Sequence, residues 1–413
     1  MHVLLIHQAF VSPNDAGGTR HYELARRLVD SGEQFTIVAS DLNYLTGKKA
    51  SGSEQAGANS PSGEDYDGVR VNRAYTYPSL HKSFVWRIVS FLSFMVCSVW
   101  TAWKVKNVDL VMGTSPPIFQ AVSAWVVSVL KWRPFLLEIR DLWPEFAVDM
   151  GVLKNPVLIW LARRLERFLY ARAKHILVNS PAYRDYLINM GIPAAKISFI
   201  ANGVDPGMFF VETQRATLRN EFQLQDKFIV TYAGAMGMAN NLDVVLVAGK
   251  LLEDLPDVHF LMVGDGKDRA KLEVMAKEMG VKNVTFTGSR PKSQMPEVLA
   301  ESDVCLATLR DIPMFRTTYP NKVFDYMAAA RPVVLAIDGV IREVIEKANG
   351  GIPVPPGNAQ AIADAVRQLH SDRARSQEMG RSAREYVILN FDRNQQALQF
   401  GELVGQVGNR RAA

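Results

Sequence analysis

The segment Thr318-Tyr-Pro-Asn-Lys-Val-Phe-Asp-Tyr-Met-Ala-Ala-Ala-Arg-Pro-Val-Val334 puts a lysine and a carboxylate at helical spacing just after a polar turn. Backbone N–H groups at a helix start, with Thr318, Asn321 and the Lys322 ammonium beside them, can meet a diphosphate. A turn further on, Asp325 can accept hydrogen bonds from ribose hydroxyls, as the acidic residue of dinucleotide folds does. A small-residue break and an apolar strand then follow. The chemistry legible here is recognition of a nucleotide's phosphates and ribose.

Other residues fit the same chemistry. Gly234-Ala-Met-Gly237 follows an apolar strand and precedes a helix, so Gly234 and Gly237 would bring backbone N–H groups to a pyrophosphate. Gly17-Gly18 repeats the device after the first strand, where Gly17 and Gly18 leave room for a ligand against the backbone. Ser289-Arg290-Pro291 is a further strand-end loop, in which Arg290 could border the nucleobase; the plainer alternative is an ordinary turn. Glu138-Ile-Arg-Asp-Leu-Trp-Pro-Glu145 ends a buried strand with acids, an arginine and a tryptophan, where open α/β sheets place their sites. There Asp141 or Glu145 would activate or orient an acceptor and Arg140 would meet a phosphate; the plainer alternative is an Arg140–Asp141 ion pair that orders the loop. Gly264-Asp-Gly266 has Arg269 where a dinucleotide fingerprint needs its third glycine, which speaks against nicotinamide or flavin.

The elements that must hold these residues alternate strand and helix almost from end to end. Strands are expected at His2–His7, Phe35–Ser40, Val69–Tyr75, Asp109–Gly113, Pro134–Arg140, His175–Asn179 and Ile197–Ile200. A second series runs Phe228–Ala233, His259–Val263, Val284–Thr287, Val304–Ala307 and Pro332–Ile337. Such alternation implies parallel sheets built from right-handed βαβ units, hence an α/β fold. At 413 residues two domains are expected, 1–206 and 207–392, with the helix at about 393–413 packing back on the first.

Composition bounds the rest. With 48% hydrophobic and 22% charged residues the chain is globular. Cys97 and Cys305, both in apolar runs, suggest a reducing compartment without disulfides or a zinc spacing. The N-terminus reads as a core strand rather than a secretory signal. Residues 1–210 hold 22 Lys and Arg against 17 Asp and Glu, and the remainder holds 25 of each, so an anionic partner is expected for the first half, either acidic lipid or a phosphorylated acceptor. Nucleic acid is not expected as a partner. Gly47–Gly68 reads as a mobile loop, and its Asp65-Tyr-Asp67 as a chance likeness to a metal-binding motif, so no metal is expected.

Phe84–Trp103 holds twenty residues with the single charge Arg87, long enough to span a bilayer. Strands flank it closely at both ends, which disfavours a span. Two readings stay open: a buried packing helix, or a helix dipping into the lipid interface. In the second, Trp86, Phe91, Phe94, Trp100 and Trp103 enter the lipid, and His81, Lys82, Lys104 and Lys106 meet headgroups. Lys131, Arg133 and the basic stretch Arg163–Arg172 would extend that surface, giving a cytoplasmic protein held peripherally on the inner face of the membrane.

Taken together, these residues resemble the glycosyltransferase 4 family, which has the GT-B fold of two Rossmann-like domains with parallel sheets facing a central cleft. The likeness runs from Gly17-Gly18 through Asn202-Gly-Val-Asp205, Tyr232-Ala-Gly234 and Val263-Gly-Asp-Gly266 to the Asp325 helix and Gly350-Gly-Ile-Pro-Val-Pro-Pro-Gly357. Arg140-Asp-Leu-Trp-Pro-Glu145 and Pro320-Asn-Lys-Val-Phe-Asp-Tyr-Met-Ala328 are similar to its WbuB-type branch, associated with bacterial surface polysaccharides such as O-antigen and with aminosugar donors. The resemblance implies a second domain that binds a nucleoside-diphosphate sugar, UDP-sugar favoured, and a first that binds a glycan or polyprenyl-diphosphate-linked acceptor. It implies transfer with retention, without metal or other cofactor. Asp325 matches the second acid of the family's E-x7-E motif, which binds ribose, whereas Thr317 stands where the first acid would be. Ala235 and Asn241 fall near the family's usual Arg and Lys, leaving Lys322, backbone N–H groups or Arg290 to meet the phosphates. Arg140 occupies the place of a common histidine.

Two rival functions fit the same architecture. A sugar-nucleotide 2-epimerase would turn over its donor without any acceptor, and a non-catalytic nucleotide-sugar-binding protein would bind without turnover.

Overall fold

A computed structural model describes residues 1–12, 18–43, 47, 49–50, 63–79, 84–209 and 216–408, with the backbone alone at 84 and 85. Contacts divide the chain into two units, Met1–Ala201 with Asn394–Ala413, and Asn202–Arg393. The division falls ahead of the turn cluster Asn202–Pro206.

The central strands of the first unit, at residues 2–6, 110–115 and 135–139, are mostly apolar runs buried along their length, as a parallel sheet covered on both faces requires. In chain order its elements are β1 (His2–Ile6), α1 (Arg20–Asp30), β2 (Gln34–Ser40), β3 (Glu64–Tyr66), β4 (Val69–Ala74), α2 (Phe84–Trp103) and β5 (Leu110–Ser115). Then come α3 (Ile118–Lys131), β6 (Phe135–Ile139), α4 (Glu145–Asp149), α5 (Pro156–Arg172), β7 (His175–Val178), α6 (Pro181–Asn189) and β8 (Ile197–Phe199). The eight strands lie in the order β3-β4-β2-β1-β5-β6-β7-β8. All neighbours pair parallel except β3, which runs antiparallel to β4. Right-handed crossovers place α1 on one face and α2, α3 and α5 on the other, because β1→β2 steps one way along the sheet and β4→β5→β6→β7 the other.

The second unit runs α7 (Thr217–Glu221), β9 (Phe228–Ala233), α8 (Asp243–Leu251), β10 (Val258–Val263), α9 (Arg269–Glu278), β11 (Val284–Gly288), α10 (Met295–Ala300) and β12 (Val304–Thr308). It continues with α11 (Asn321–Ala328), β13 (Val333–Ala336), α12 (Val340–Lys347), β14 (Gly351–Pro353), α13 (Ala359–Ser371) and α14 (Arg373–Phe391). Its six strands are all parallel, in the order β11-β10-β9-β12-β13-β14. The last helix, α15 (Arg393–Val407), sets Ala397, Phe400, Leu403 and Val404 into the core of the first unit with Leu24 and Leu28 of α1.

Three expectations change. The segment expected as a mobile loop to Gly68 ends in an ordered hairpin: Asp65 accepts from the Gly68 N–H at 2.7 Å, and Asp67 pairs with Arg26 and accepts from Tyr22. The carboxylates of Asp65-Tyr-Asp67 therefore have turn-making and pairing roles. β3 and β14, too short for a periodic signal, lie outside the expected strands. Within α2, Phe94 is fully buried and belongs to the core rather than to a lipid-facing surface. His81 and Lys82 lie outside the described residues.

Candidate active site

In the second unit the strand order reverses between β9 and β12. Open α/β sheets bind ligands at such a switch point, outside the carboxyl ends of the strands. The loop leaving β9 there is Gly234-Ala-Met-Gly237. Its conformation is fixed by the neighbouring loop after β10: Gly234 donates to the Val263 carbonyl at 2.9 Å and Met236 to that of Asp265 at 2.8 Å. A Cβ on Gly264 would stand 1.9 Å from the Gly234 oxygen, and one on Gly266 2.3 Å from the Met236 oxygen. Both glycines have positive φ, so Gly264-Asp-Gly266 serves close approach of two backbones. The Gly234 N–H, expected to face phosphate, is thereby occupied. The N–H groups of Ala235 and Gly237 have no partner among the described residues, and the space a Gly237 Cβ would enter is open.

Helix α11, following β12, brings Lys322 to this loop. Its Nζ donates to the Tyr232 hydroxyl at 2.9 Å and to Asn240 Oδ1 at 3.1 Å, and lies 4.2 Å from the Tyr232 ring centroid. It also stands 3.2 Å from where a Gly234 Cβ would be. No carboxylate among the described residues pairs with it. Burial with neutral partners alone pulls the ammonium down from 10.5 to about 7. Asn321, beside it, has a buried Oδ1 without a partner among the described residues. An arriving diphosphate would find a cation, two open backbone amides and the α11 N-terminus together.

Asp325, one turn on, accepts from Lys292 Nζ at 2.6 Å. Lys292 follows β11, so that strand-end loop reaches Asp325 through Lys292. Arg290 does not: its guanidinium is drawn away to Glu221 at 2.6 Å and lies over the Phe222 ring. Thr318 and Thr317 turn their hydroxyls onto the carbonyls of Phe315, at 2.9 Å, and Met314, at 2.6 Å, closing the 3-10 turn before α11.

In the first unit the order reverses between β1 and β5, and there the structure assembles a charged cluster around Glu138. A carboxylate inside the apolar run of β6 must be paired to be buried. Arg20 meets it at 3.1 Å and His21 through Nε2, while Arg20 also donates to the carbonyls of Ala201 at 2.6 Å and Ile200 at 2.9 Å. Burial alone would push the Glu138 carboxyl up; His21, Arg20 and Arg140 overcome this and hold it well below the ordinary range. His7, just past β1, lies 4.4 Å centroid to centroid from His21, and its Nε2 is 3.4 Å from the Arg140 guanidinium. Burial, with His21 and Arg140 adding their repulsion, keeps His7 neutral. Because the guanidinium can only donate to Nε2, Nδ1 carries the ring proton, and that buried atom has no partner among the described residues.

Arg140 and Asp141 do not pair with each other. Asp141 is half-buried with Tyr183 Oη at 3.5 Å, and loss of water lifts its carboxyl from 3.8 to about 6. Glu145, the alternative acid, is held by Arg163 through two bonds of 2.8 and 2.9 Å that fix α4 against α5. Gly18 is exposed at the approach to α1, and Gly17 lies outside the described residues.

Two family profiles match the chain. "Glycosyl transferase 4-like domain" covers residues 16–203 and "Glycosyl transferases group 1" covers residues 227–372, one on each unit. The chain belongs to the glycosyltransferase 4 family. This glycosyltransferase is 24% identical over 341 residues to the putative colanic acid biosynthesis glycosyl transferase WcaI of Escherichia coli, covering 80% of the chain and 82% of that protein. It is 24% identical to the alpha-D-kanosaminyltransferase of Streptomyces kanamyceticus over 60% of the chain, spanning 64% of that enzyme's length. Among solved structures, Anabaena HepE in complex with UDP and glucose superposes over 98% of the chain and 99% of its own at a TM-score of 0.73 and 18% identity. Sucrose-phosphate synthase of Thermosynechococcus elongatus does so over 99% and 100% at 0.78 and 19%. These likenesses show the fold, which is GT-B.

Sequence reasoning missed His7, Arg20, His21, Tyr232, Asn240 and Lys292 of this glycosyltransferase. His7 carried a usable signal, a polar residue at the end of the first buried strand. So did Glu138, which demands a buried cation from elsewhere. Nothing local to Lys292 separates it from Arg290, two residues earlier.

Proposed function

We propose that the chain transfers a sugar from a nucleoside-diphosphate donor, with UDP-sugars favoured, to a glycan or polyprenyl-diphosphate-linked acceptor in building a bacterial surface polysaccharide. The observation that carries this is Lys322, a half-buried ammonium that, among the described residues, has no carboxylate partner and stands beside two open backbone amides at a sheet switch point. Such a cation is incomplete without an anion. HepE, of the same fold, is seen with UDP-glucose; the names of WcaI and the kanosaminyltransferase point to polysaccharide synthesis and to an aminosugar donor respectively.

In this reading the transition state has oxocarbenium character at the anomeric carbon, and negative charge grows on the departing diphosphate. Lys322 and the N–H groups of Ala235 and Gly237 stabilise that charge, needing no metal, and are already oriented before reaction. Asp325 accepts from the ribose hydroxyls, sharing its second oxygen with Lys292. The first unit takes the acceptor at the β1/β5 switch point. There Asp141 receives the hydroxyl proton or orients the hydroxyl, while Arg140 and the His7 Nδ1–H offer donors to an acceptor oxygen. Transfer retains the anomeric configuration.

A thermal-shift panel of UDP-, GDP- and ADP-sugars tests the donor. A ligand that prefers the native state raises its melting temperature, and a UDP-sugar is expected to raise it most. Asp325→Ala should weaken UDP binding by about tenfold, the loss of a hydrogen bond to a charged group. Unchanged affinity in that variant rejects the ribose role, and no shift with any of the three nucleotides rejects the donor reading.

A further inference from the structure

The helices on one face of the first sheet bury some polar side chains and expose large apolar ones. Along α2, the positions Ser90, Phe94, Ser98 and Ala102 recur every four residues and are buried, so both serines at these positions face the protein. Leu92, Val96, Trp100 and Trp103 occupy the opposite side and are exposed, Trp100 to 66%. In α3, Gln120, Ser123 and Ser128 are buried, while Val129 and Leu130 at its end are exposed. Trp132, which caps α3 in the left-handed conformation at φ 55°, is 91% exposed. In α5 the buried side includes Glu166, and Val157, Leu158, Trp160 and Leu161 face outward.

These helices adjoin. The topology puts them on one sheet face. Phe91 of α2 stacks on Phe119 of α3 at 6.0 Å, Trp125 of α3 meets Phe168 of α5 at 4.8 Å, and Lys131 bonds the Trp103 and Val105 carbonyls at the end of α2. Their exposed apolar residues form a surface beyond the scattered single side chains that need no explanation. Its charge has one sign: α2 and α3 contain no acidic residue, and the sole carboxylate of α5, Glu166, is buried against Tyr170. Lysines and arginines edge the tryptophans, with Lys104 over Trp100 at 5.4 Å, Lys131 over Trp103 at 5.3 Å and Arg164 over Trp160 at 5.4 Å.

We propose that the α2–α3–α5 face docks on an anionic lipid bilayer. Exposed tryptophans beside cations match an interface that is apolar below and negatively charged above. A second copy of the chain fits poorly, since two such faces would bring like charges together. α2 lies along the surface and does not cross it: Phe94, Ser98 and Ala102 are packed into the protein, and β4 and β5 at its two ends belong to one sheet. Arg163, whose charge is taken by Glu145, is not among the lipid-facing cations.

Flotation of the full chain with phosphatidylcholine vesicles, with and without phosphatidylglycerol, tests this at low and high salt. Binding is expected to the anionic vesicles and to fall with salt. The exposed triple variant Trp100→Ser, Trp132→Ser, Trp160→Ser should partition at least about tenfold less while melting like the wild type. Absence of binding to anionic vesicles at low salt overturns the proposal, as does undiminished binding by the triple variant. Sedimentation without lipid showing a dimer that the triple variant dissolves would instead assign the face to a second copy. Neither nucleotide nor acceptor enters the assay, so its outcome is independent of the transferase reading.

Discussion

Lys322→Ala is expected to lower kcat/KM for transfer by about a thousandfold, the upper range for deleting one preorganised donor to developing negative charge. The fold should tolerate the change. Lys322 makes no ion pair among the described residues, and burial lowers its pKa to about 7, so its removal relieves a desolvation cost while leaving Tyr232 and Asn240 short of one donor. The pH dependence carries a second signature. A bound diphosphate favours charged lysine, so donor binding takes up a proton above pH 7, and affinity falls as pH rises past that point. In Lys322→Ala this pH dependence should vanish. Near-normal kcat/KM, or a pH dependence shared by variant and wild type, counts against the assignment.

The second large effect is expected at Asp141. Replacement by asparagine should cut kcat by about a hundredfold or more, the contribution of a positioned base, with donor binding retained. The same change should stabilise the protein. A carboxyl whose folded pKa of about 6 exceeds its unfolded value of 3.8 holds its proton more tightly when folded. The ionised group therefore costs stability above pH 6, and the cost is progressively relieved as pH falls from 6 to below 3.8. At pH 8 the relief in Asp141→Asn is up to about 2 kcal/mol, allowing for the residue's partial exposure, and it should be smaller at pH 5. A variant that is fully active, or less stable at pH 8 than the wild type, reduces Asp141 to an ordinary structural residue.

Much of the architecture was legible because parallel strands buried on both faces announce themselves as apolar runs. The α11 segment could be read as well, since Lys322 and Asp325 are three residues apart on one helix and their relation is local. What stayed hidden is tertiary. Gly264 and Gly266 look like a failed dinucleotide fingerprint, and only the packing of the two loops, which would set a Gly264 Cβ 1.9 Å from the Gly234 oxygen, reveals their role. Glu145 and Arg163 are eighteen positions apart, and nothing in the sequence signals their bidentate pairing. The Glu138 cluster draws on β1, α1 and β6, which no sequence window spans. In α2 the composition alone could not orient the helix; the buried Ser90 and Ser98 do.

The most direct test is a crystal structure with a UDP-sugar bound. The diphosphate is predicted within hydrogen-bond distance of Lys322 Nζ and the Ala235 and Gly237 N–H groups, with the ribose hydroxyls on Asp325. A well-ordered nucleotide bound away from all four contradicts the account.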